Sequence, residues 1–438
     1  MKKIAERIFR QTLAAIDVPG AIEKKLGRTG SRIHAGERLF DLRDHPSIVA
    51  IAYGKASLGM AEGLMRALSP DFSPEGILVL PATPARSPAG WQIFVGGHPV
   101  PNAASFAAGR AILDRLARCD ERTLIFFLIS GGGSSLVEQP LDPKVTLADF
   151  DQLHSALVTC GGSIEEINAI RKHVSATKGG RLAAAAPKST KITLAISDVP
   201  MGQESSLASG PTLPDPSTVH DAEAVAEKYS LIEKLPKPLK EAFQNHMLSE
   251  TPKAGDPAFA RSSFSLVLGQ HELMHAAHHA CETEGYLCLC DNSTDNWPLE
   301  KAADYLLAQL ELQKRQNPGR RVAVLADGEL SSPVIGNGIG GRNSAFVLAC
   351  VPKIAGKDIT VLSAGTDGID GNSPAAGSVA DGETAKRAQP AGLDPANSQQ
   401  RSDAYTFFER LGDAIVTGPT GNNLRDLRIF LADGSPRI

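Results

Sequence analysis

The 438-residue chain is predicted to fold as two different three-layer α/β/α domains, the first built on a Rossmann-like, mainly parallel sheet. Three observations point there. The chain is too long for one ordinary core and suffices for two. Short β-branched runs alternate with helical stretches from end to end, as in sheets covered by helices. Glycine-rich loops directly follow the apolar runs, where ligands of open α/β sheets bind.

In the first half, strands are expected at 47–53, 76–80, 123–129 and 191–196. Helices are expected at 2–16, 56–68, 103–118, 147–159 and 163–173, the last opened by Ser163 and Glu166 in capping-box spacing. Periodicity fades over 231–260 while Pro and Lys accumulate. Residues 1–235 therefore read as the first domain, 236–260 as a linker and 261–438 as the second domain. The second series runs strand 264–268, helix 271–284, strand 286–290, helix 299–316 and strand 322–325. Strands near 359–363, 414–417 and 427–431 follow. Two domains with a cleft between them form the simplest architecture.

Composition narrows the function. With 42% hydrophobic and 21% charged residues the chain is globular. Its net charge of −4, with the two signs interspersed, offers no basic face for nucleic acid. The longest apolar runs are strand-sized and too short to span a bilayer. Charged residues Lys2, Lys3, Glu6 and Arg7 stand where a signal peptide needs an apolar core. The six cysteines show neither C-x-x-C nor disulfide-framework spacing, so a cytoplasmic protein is expected.

The loops carry the chemistry. Ser130-Gly131-Gly132-Gly133-Ser134-Ser135 follows a buried apolar run. Three absent β-carbons let backbone N–H groups close on a phosphate or carboxylate, and two hydroxyls add donors. A tight turn alone would need fewer glycines. Lys55, in Tyr53-Gly54-Lys55-Ala56-Ser57, ends the first strand and aims an ammonium at the mouth of the sheet, although an ordinary solvated lysine would read the same way. A second glycine loop, Gly336 to Gly341, ends in Arg342 and Asn343, with Asp327-Gly328-Glu329 upstream. The planar fork of an arginine suits carboxylate or phosphate. Asp198, Asp367 and Asp370 follow strands, where carboxylates could hold Mg²⁺ on nucleotide phosphates, though Asp-Gly is also a turn formula. Thr417-Gly418-Pro419-Thr420-Gly421 is another hydroxyl-and-glycine loop.

Several standard motifs are missing. There is no G-x-x-x-x-G-K-[ST] and no H-R-D or D-F-G, which excludes P-loop and protein-kinase patterns. No G-x-G-x-x-G sits in a convincing dinucleotide setting. His271, Glu272, His275 and His278 do not have zincin spacing and read as a polar helix stripe rather than a zinc site.

Taken in order, these loops resemble the type-2 glycerate kinase family over nearly the whole chain. The resemblance rests on Gly54-Lys55-Ala56, Gly97-His98-Pro99-Val100-Pro101, Ser130 to Ser135, Arg171-Lys172-His173 with Lys178-Gly179-Gly180-Arg181-Leu182, and Ser197-Asp198-Val199. It continues through Ala208-Ser209-Gly210-Pro211-Thr212, Gly340-Gly341-Arg342-Asn343, Gly365-Thr366-Asp367-Gly368 and Thr417 to Gly421. The C-terminal part is similar to the MOFRL domain.

The resemblance implies transfer of the ATP γ-phosphate to the 2-hydroxyl of D-glycerate, with Lys55 and Arg342 as catalytic cations from different domains. Gly131, Gly132, Gly133, Ser134, Ser135 and Asn343 are then expected to bind phosphate or substrate, and Asp198 and Asp367 to hold Mg²⁺. The expected partners are ATP and a small hydroxy-acid, with no nucleic acid or membrane; a homodimer is left open. Departures from the family pattern stand at Asn102-Ala103, Pro200 to Glu204, Leu330-Ser331 and Ser344-Ala345. They keep open a longer hydroxy-acid, and the other readings are a hydroxypyruvate reductase and a non-catalytic sensor.

Overall fold

The computed structural model describes residues 1–434. Two compact units result: Val18–Val267, and Met1–Asp17 together with the chain from Leu268 onward.

The first unit opens with the helix Val18–Leu26 and then an antiparallel hairpin, β1 (Arg32–Ala35) and β2 (Arg38–Asp41), neither of which has a counterpart among the expected elements. Its main sheet comprises β3 (Ser47–Tyr53), β4 (Glu75–Leu80), β5 (Gln92–Val95), β6 (Thr123–Ser130), β7 (Thr190–Ile196) and β8 (Ser262–Leu268), in spatial order β5-β4-β3-β6-β7-β8. The pairings from β5 through β7 are parallel. All eight residues of β6 are buried, because helices cover both faces of such a sheet and leave no side for polar residues. The register pairs Tyr53 with Ile129 and Ile129 with Ala195, so β3, β6 and β7 end level and release their loops side by side.

Local signals place the covering helices. Ser163 caps the helix Ile164–Val174 in the expected box with Glu166. Asn102, one of the departures from the family pattern, caps Ala103–Leu116: its side-chain oxygen accepts from the Ser105 N–H at 2.9 Å. That substitution keeps a capping acceptor and leaves the fold untouched.

The second unit holds β9 (Leu287–Cys290), β10 (Val322–Asp327), β11 (Ile359–Gly365), β12 (Gly377–Asp381), β13 (Ala414–Ile415) and β14 (Asp426–Ala432), ordered β13-β12-β11-β14-β10-β9. β9 and β10 pair in parallel and the other pairings are antiparallel, so this sheet is mixed. Val322, Val324 and Ala326 pack with helices Leu299–Gln316 and Arg342–Ile354. The alternate residues Ala323 and Leu325 are equally buried on the opposite face, as a three-layer arrangement requires.

The domain boundaries differ from those expected at 235 and 261. The segment 236–260 is not a linker: it contains the helix Lys237–Gln244, whose Leu239 and Phe243 are buried in a cluster with Leu153, Leu157 and Ile170. Lys237 is exposed and Lys240 half-buried on that helix, so its lysines reflect a solvent-facing side rather than a loop. β8, expected to open the second domain, completes the first sheet beside β7. The opening helix Lys2–Ala15 belongs to the second unit; it buries Ala5, Ile8 and Phe9, and Lys2 bonds Asp413 at 2.8 Å. Sequence order does not reveal such a return. Among the described residues no helix is long and apolar enough to cross a membrane.

Phe127 sits at 0% exposure in the centre of β6. Phe127→Ala is expected to cost about 3–5 kcal/mol of unfolding free energy, read from the denaturant midpoint at unchanged slope.

Candidate active site

In the first unit, the loops after β3 and β6 lie against each other. The Lys55 N–H donates to the Gly131 carbonyl at 3.0 Å, and the Ala56 N–H donates to the Ser130 hydroxyl at 3.0 Å. Gly54 has φ +120°, and a β-carbon there would run into the backbone of Ser130. Only glycine lets the two chains approach this closely. Gly132 has φ +80°; a β-carbon on it would come within 3.0 Å of the His98 ring and 3.3 Å of the Lys55 side chain. Lys55 and His98 thus pack directly over the glycine loop. Lys55 is half-buried, with the helix Ser57–Leu68 beginning behind it.

The serines of the loop are tied down. Ser135 donates to the Gly132 carbonyl at 3.2 Å. The hydroxyls of Ser134 and Ser209 lie 2.9 Å apart, and Ser209 donates to Asn168 at 3.1 Å. Ala208, Ser209 and Gly210 all have positive φ, an expensive run for two residues with side chains. It places the Ser209 hydroxyl beside the loop. Beyond it, Lys178 and Glu138 form a fully buried pair at 2.5 Å, and Lys172 and Asp215 another at 2.9 Å. Burial pulls the Lys178 pKa below its ordinary value, against the opposing charge of Glu138. The first pair ties the segment after the helix Ile164–Val174 to the chain leaving the glycine loop, and the second ties the helix itself to Asp215.

In the second unit, β10 and β11 flank the start of β14, with Gly365 opposite Asp426. Arg342, the first residue of its helix, donates from Nε to Asp426 at 2.5 Å. Its two terminal nitrogens meet the Glu329 carboxylate at 2.7 and 2.8 Å, a fork-to-fork pair. Asp426 is 4% exposed and Glu329 42%. Burial works against the charge on Arg342, but the two carboxylates outweigh it and raise the pKa above the usual arginine value. For Asp426, burial is likewise overcome by Arg342 and the pKa falls below the ordinary carboxylate range. Asp370 is buried and accepts the N–H groups of Asn343 and Ser344 at 2.9 and 2.8 Å, anchoring the helix start.

Around this pair lies a polar core of which sequence reading picked out only the Asp327-Gly328-Glu329 run. Arg428 is fully buried and donates to the Gly328 carbonyl at 2.9 Å; burial lowers its pKa to about 10. Asp327 is 1% exposed, its pKa raised by burial against the opposing charges of Arg425 and Arg428. No motif spacing announces Arg425 and Arg428, because they meet Asp327 across antiparallel strands far apart in sequence.

The expected site residues fall into two groups. Lys55, Gly131, Gly132, Gly133, Ser134 and Ser135 share one surface of the first unit, and Asp198 follows β7 beside them. Arg342, Asn343 and Asp367 gather at the strand ends of the second unit. Asn343 is 2% exposed and accepts from the Ser363 hydroxyl at 2.6 Å, so its side chain is an internal brace rather than a group turned toward a ligand. Asp198 and Asp367 are half-buried carboxylates at strand ends, and one Asp367 oxygen accepts the Ile369 N–H at 3.0 Å. Their oxygen donors match the hard-ligand chemistry that Mg²⁺ takes.

A family profile described as a domain of unknown function, DUF4147, matches residues 4–244, and the MOFRL family matches 322–426. The chain is 32% identical to the D-glycerate 2-kinase of Thermotoga maritima over 98% of both chains. It is 34% identical to an Agrobacterium vitis protein that carries only a provisional hydroxypyruvate reductase name, over 98% of this chain and 94% of that one. The crystal structure of glycerate kinase from Thermotoga maritima superposes with a TM-score of 0.81 at 31% identity, covering 98% of this chain and 99% of that one. The chain belongs to the glycerate 2-kinase family, in which a DUF4147 domain is followed by a MOFRL domain.

Proposed function

We propose that the protein is an ATP-dependent kinase that transfers the γ-phosphoryl group to the 2-hydroxyl of D-glycerate, giving 2-phosphoglycerate and ADP. The observation that carries this reading is the docking of Lys55 over the glycine loop at the level ends of β3 and β6. Phosphoryl transfer asks little covalent chemistry of the protein; positioning and charge stabilisation do most of it. A lysine fixed above a loop without β-carbons is suited to neutralise phosphate oxygens while backbone amides approach them.

In this reading Lys55 and Arg342 are the cations that act on the transferring group. Asp426 sets the direction of the Arg342 guanidinium from its Nε edge. Glu329, the more exposed partner, occupies the outer edge with the same two-pronged geometry a phosphate would use. Asp198 and Asp367 are the residues proposed for Mg²⁺, which when bound neutralises charge on the nucleotide phosphates. The name carried by the Thermotoga relative supports the substrate assignment.

Incubation with Mg·ATP and D-glycerate is expected to give 2-phosphoglycerate by phosphorus NMR. A 3-phosphorylated product, or steady NADH oxidation by hydroxypyruvate in the absence of ATP, would contradict the reading. Lys55→Ala is expected to lower kcat by about a hundredfold to a thousandfold with little change in melting temperature, since the side chain is half-buried and at the rim. Asp426→Asn is expected to cost about 3 to 5 kcal/mol of stability at neutral pH, because Arg342 loses its buried partner. Since the Asp426 pKa is depressed by folding, the native carboxylate contributes stability above the ordinary carboxylate range and loses it as pH falls. The stability gap between wild type and Asp426→Asn should therefore narrow on acidification, as read by urea titrations at neutral and acidic pH.

A further inference from the structure

The last turn of the helix Ile164–Val174 carries three consecutive basic residues, Arg171, Lys172 and His173. A helix C-terminus favours such residues, but their surroundings differ. Lys172 is paired with Asp215 at 2.9 Å, and His173 reaches Glu250 at 2.9 Å. Lys178, nearby, has Glu138. Arg171 has no carboxylate within ion-pair distance among the described residues, although burial lowers its pKa and its nearest acid, Glu138, is already held by Lys178. Its one side-chain hydrogen bond runs from a terminal nitrogen to His154 Nδ1 at 3.2 Å. A guanidinium has five donors. Arg171 is half-buried and its remaining donors are not sealed from solvent, so the fork is open to an anion from outside the chain.

The position of that fork indicates which anion. Asn168 lies one turn earlier on the same helix and is joined through Ser209 to Ser134 of the glycine loop. Arg171 therefore sits one helical turn from a residue tied to the Ser134 side of the loop, whereas Lys55 packs against Gly132. A small hydroxy-acid presents an oxygen to be phosphorylated and, two or three bonds away, a planar carboxylate that matches a two-pronged donor. We propose that Arg171 binds the substrate carboxylate and that its fork selects hydroxy-acids over neutral polyols. This deepens the kinase reading and rests on it.

Steady-state kinetics of the full chain test the proposal, comparing D-glycerate with glycerol, which lacks the carboxylate. In Arg171→Gln the KM for D-glycerate should rise about tenfold or more, the KM for ATP should stay within about twofold, and the preference for D-glycerate over glycerol should shrink. Arg171→Lys, which keeps the charge but loses the fork, should fall between. A general packing defect would not change discrimination between the two acceptors. If Arg171→Gln does not fold, Arg171→Lys carries the same comparison. Unchanged discrimination, or a rise confined to the KM for ATP, overturns the proposal; the latter would assign Arg171 to nucleotide phosphate. Failure of the kinase reading would show separately, as absent turnover by the wild type. In that case the rise in melting temperature produced by D-glycerate, present in the wild type and lost in Arg171→Gln, still decides the binding claim.

Discussion

The first unit depends on the close approach of two strand-end loops. β3 and β6 are paired along their whole length and end at the same level. The chain leaving β3 must therefore pass within hydrogen-bonding distance of the chain leaving β6. Gly54 makes room for the backbone of Ser130, Ser130 turns its hydroxyl to the Ala56 N–H, and Lys55 is left seated on the glycine loop. Each link forces the next. The lysine backbone is fixed by its bond to Gly131 and by the absent β-carbons around it, and its stem packs over Gly132.

The second unit solves a related problem by charge. Arg342 begins a helix whose first turn is pinned by the buried Asp370, and its guanidinium is fixed by Asp426 from the neighbouring strand. Buried ion pairs seldom add stability over apolar packing, but removing one partner is costly. The cluster of Arg342, Asp426, Asp327, Arg425 and Arg428 is best understood as orientation obtained at the expense of stability. Such expense is common at sites where geometry matters more than stability.

Much of this was legible in the sequence. Strand 47–53, the capping box at Ser163 and the helix 299–316 stand where periodicity and capping chemistry put them. Lys55 and the glycine loop were both recognisable, since each sits directly after a buried run. What escaped were contacts between residues distant in the chain. The helix Lys2–Ala15 joins the second unit and β8 joins the first, because a strand or helix can pack wherever an apolar face is open. Glu329 was visible upstream of Arg342, but Asp426 was hidden for the same reason: it reaches Arg342 only through the antiparallel register of β14. Asn343 carried a polar side chain in a glycine loop, which suggested a ligand; its burial against Ser363 shows how a polar residue can serve the interior instead.

If the shape of the glycine loop, and not merely its presence, seats Lys55 for phosphoryl transfer, a side chain at Gly132 should disturb catalysis. Gly132→Ala tests it most directly, since the added methyl group would press on the His98 ring and the Lys55 stem while leaving every charged group in place. In this variant kcat for D-glycerate phosphorylation is expected to fall by about a hundredfold in a protein that still unfolds cooperatively. A folded Gly132→Ala enzyme with wild-type kcat would contradict it.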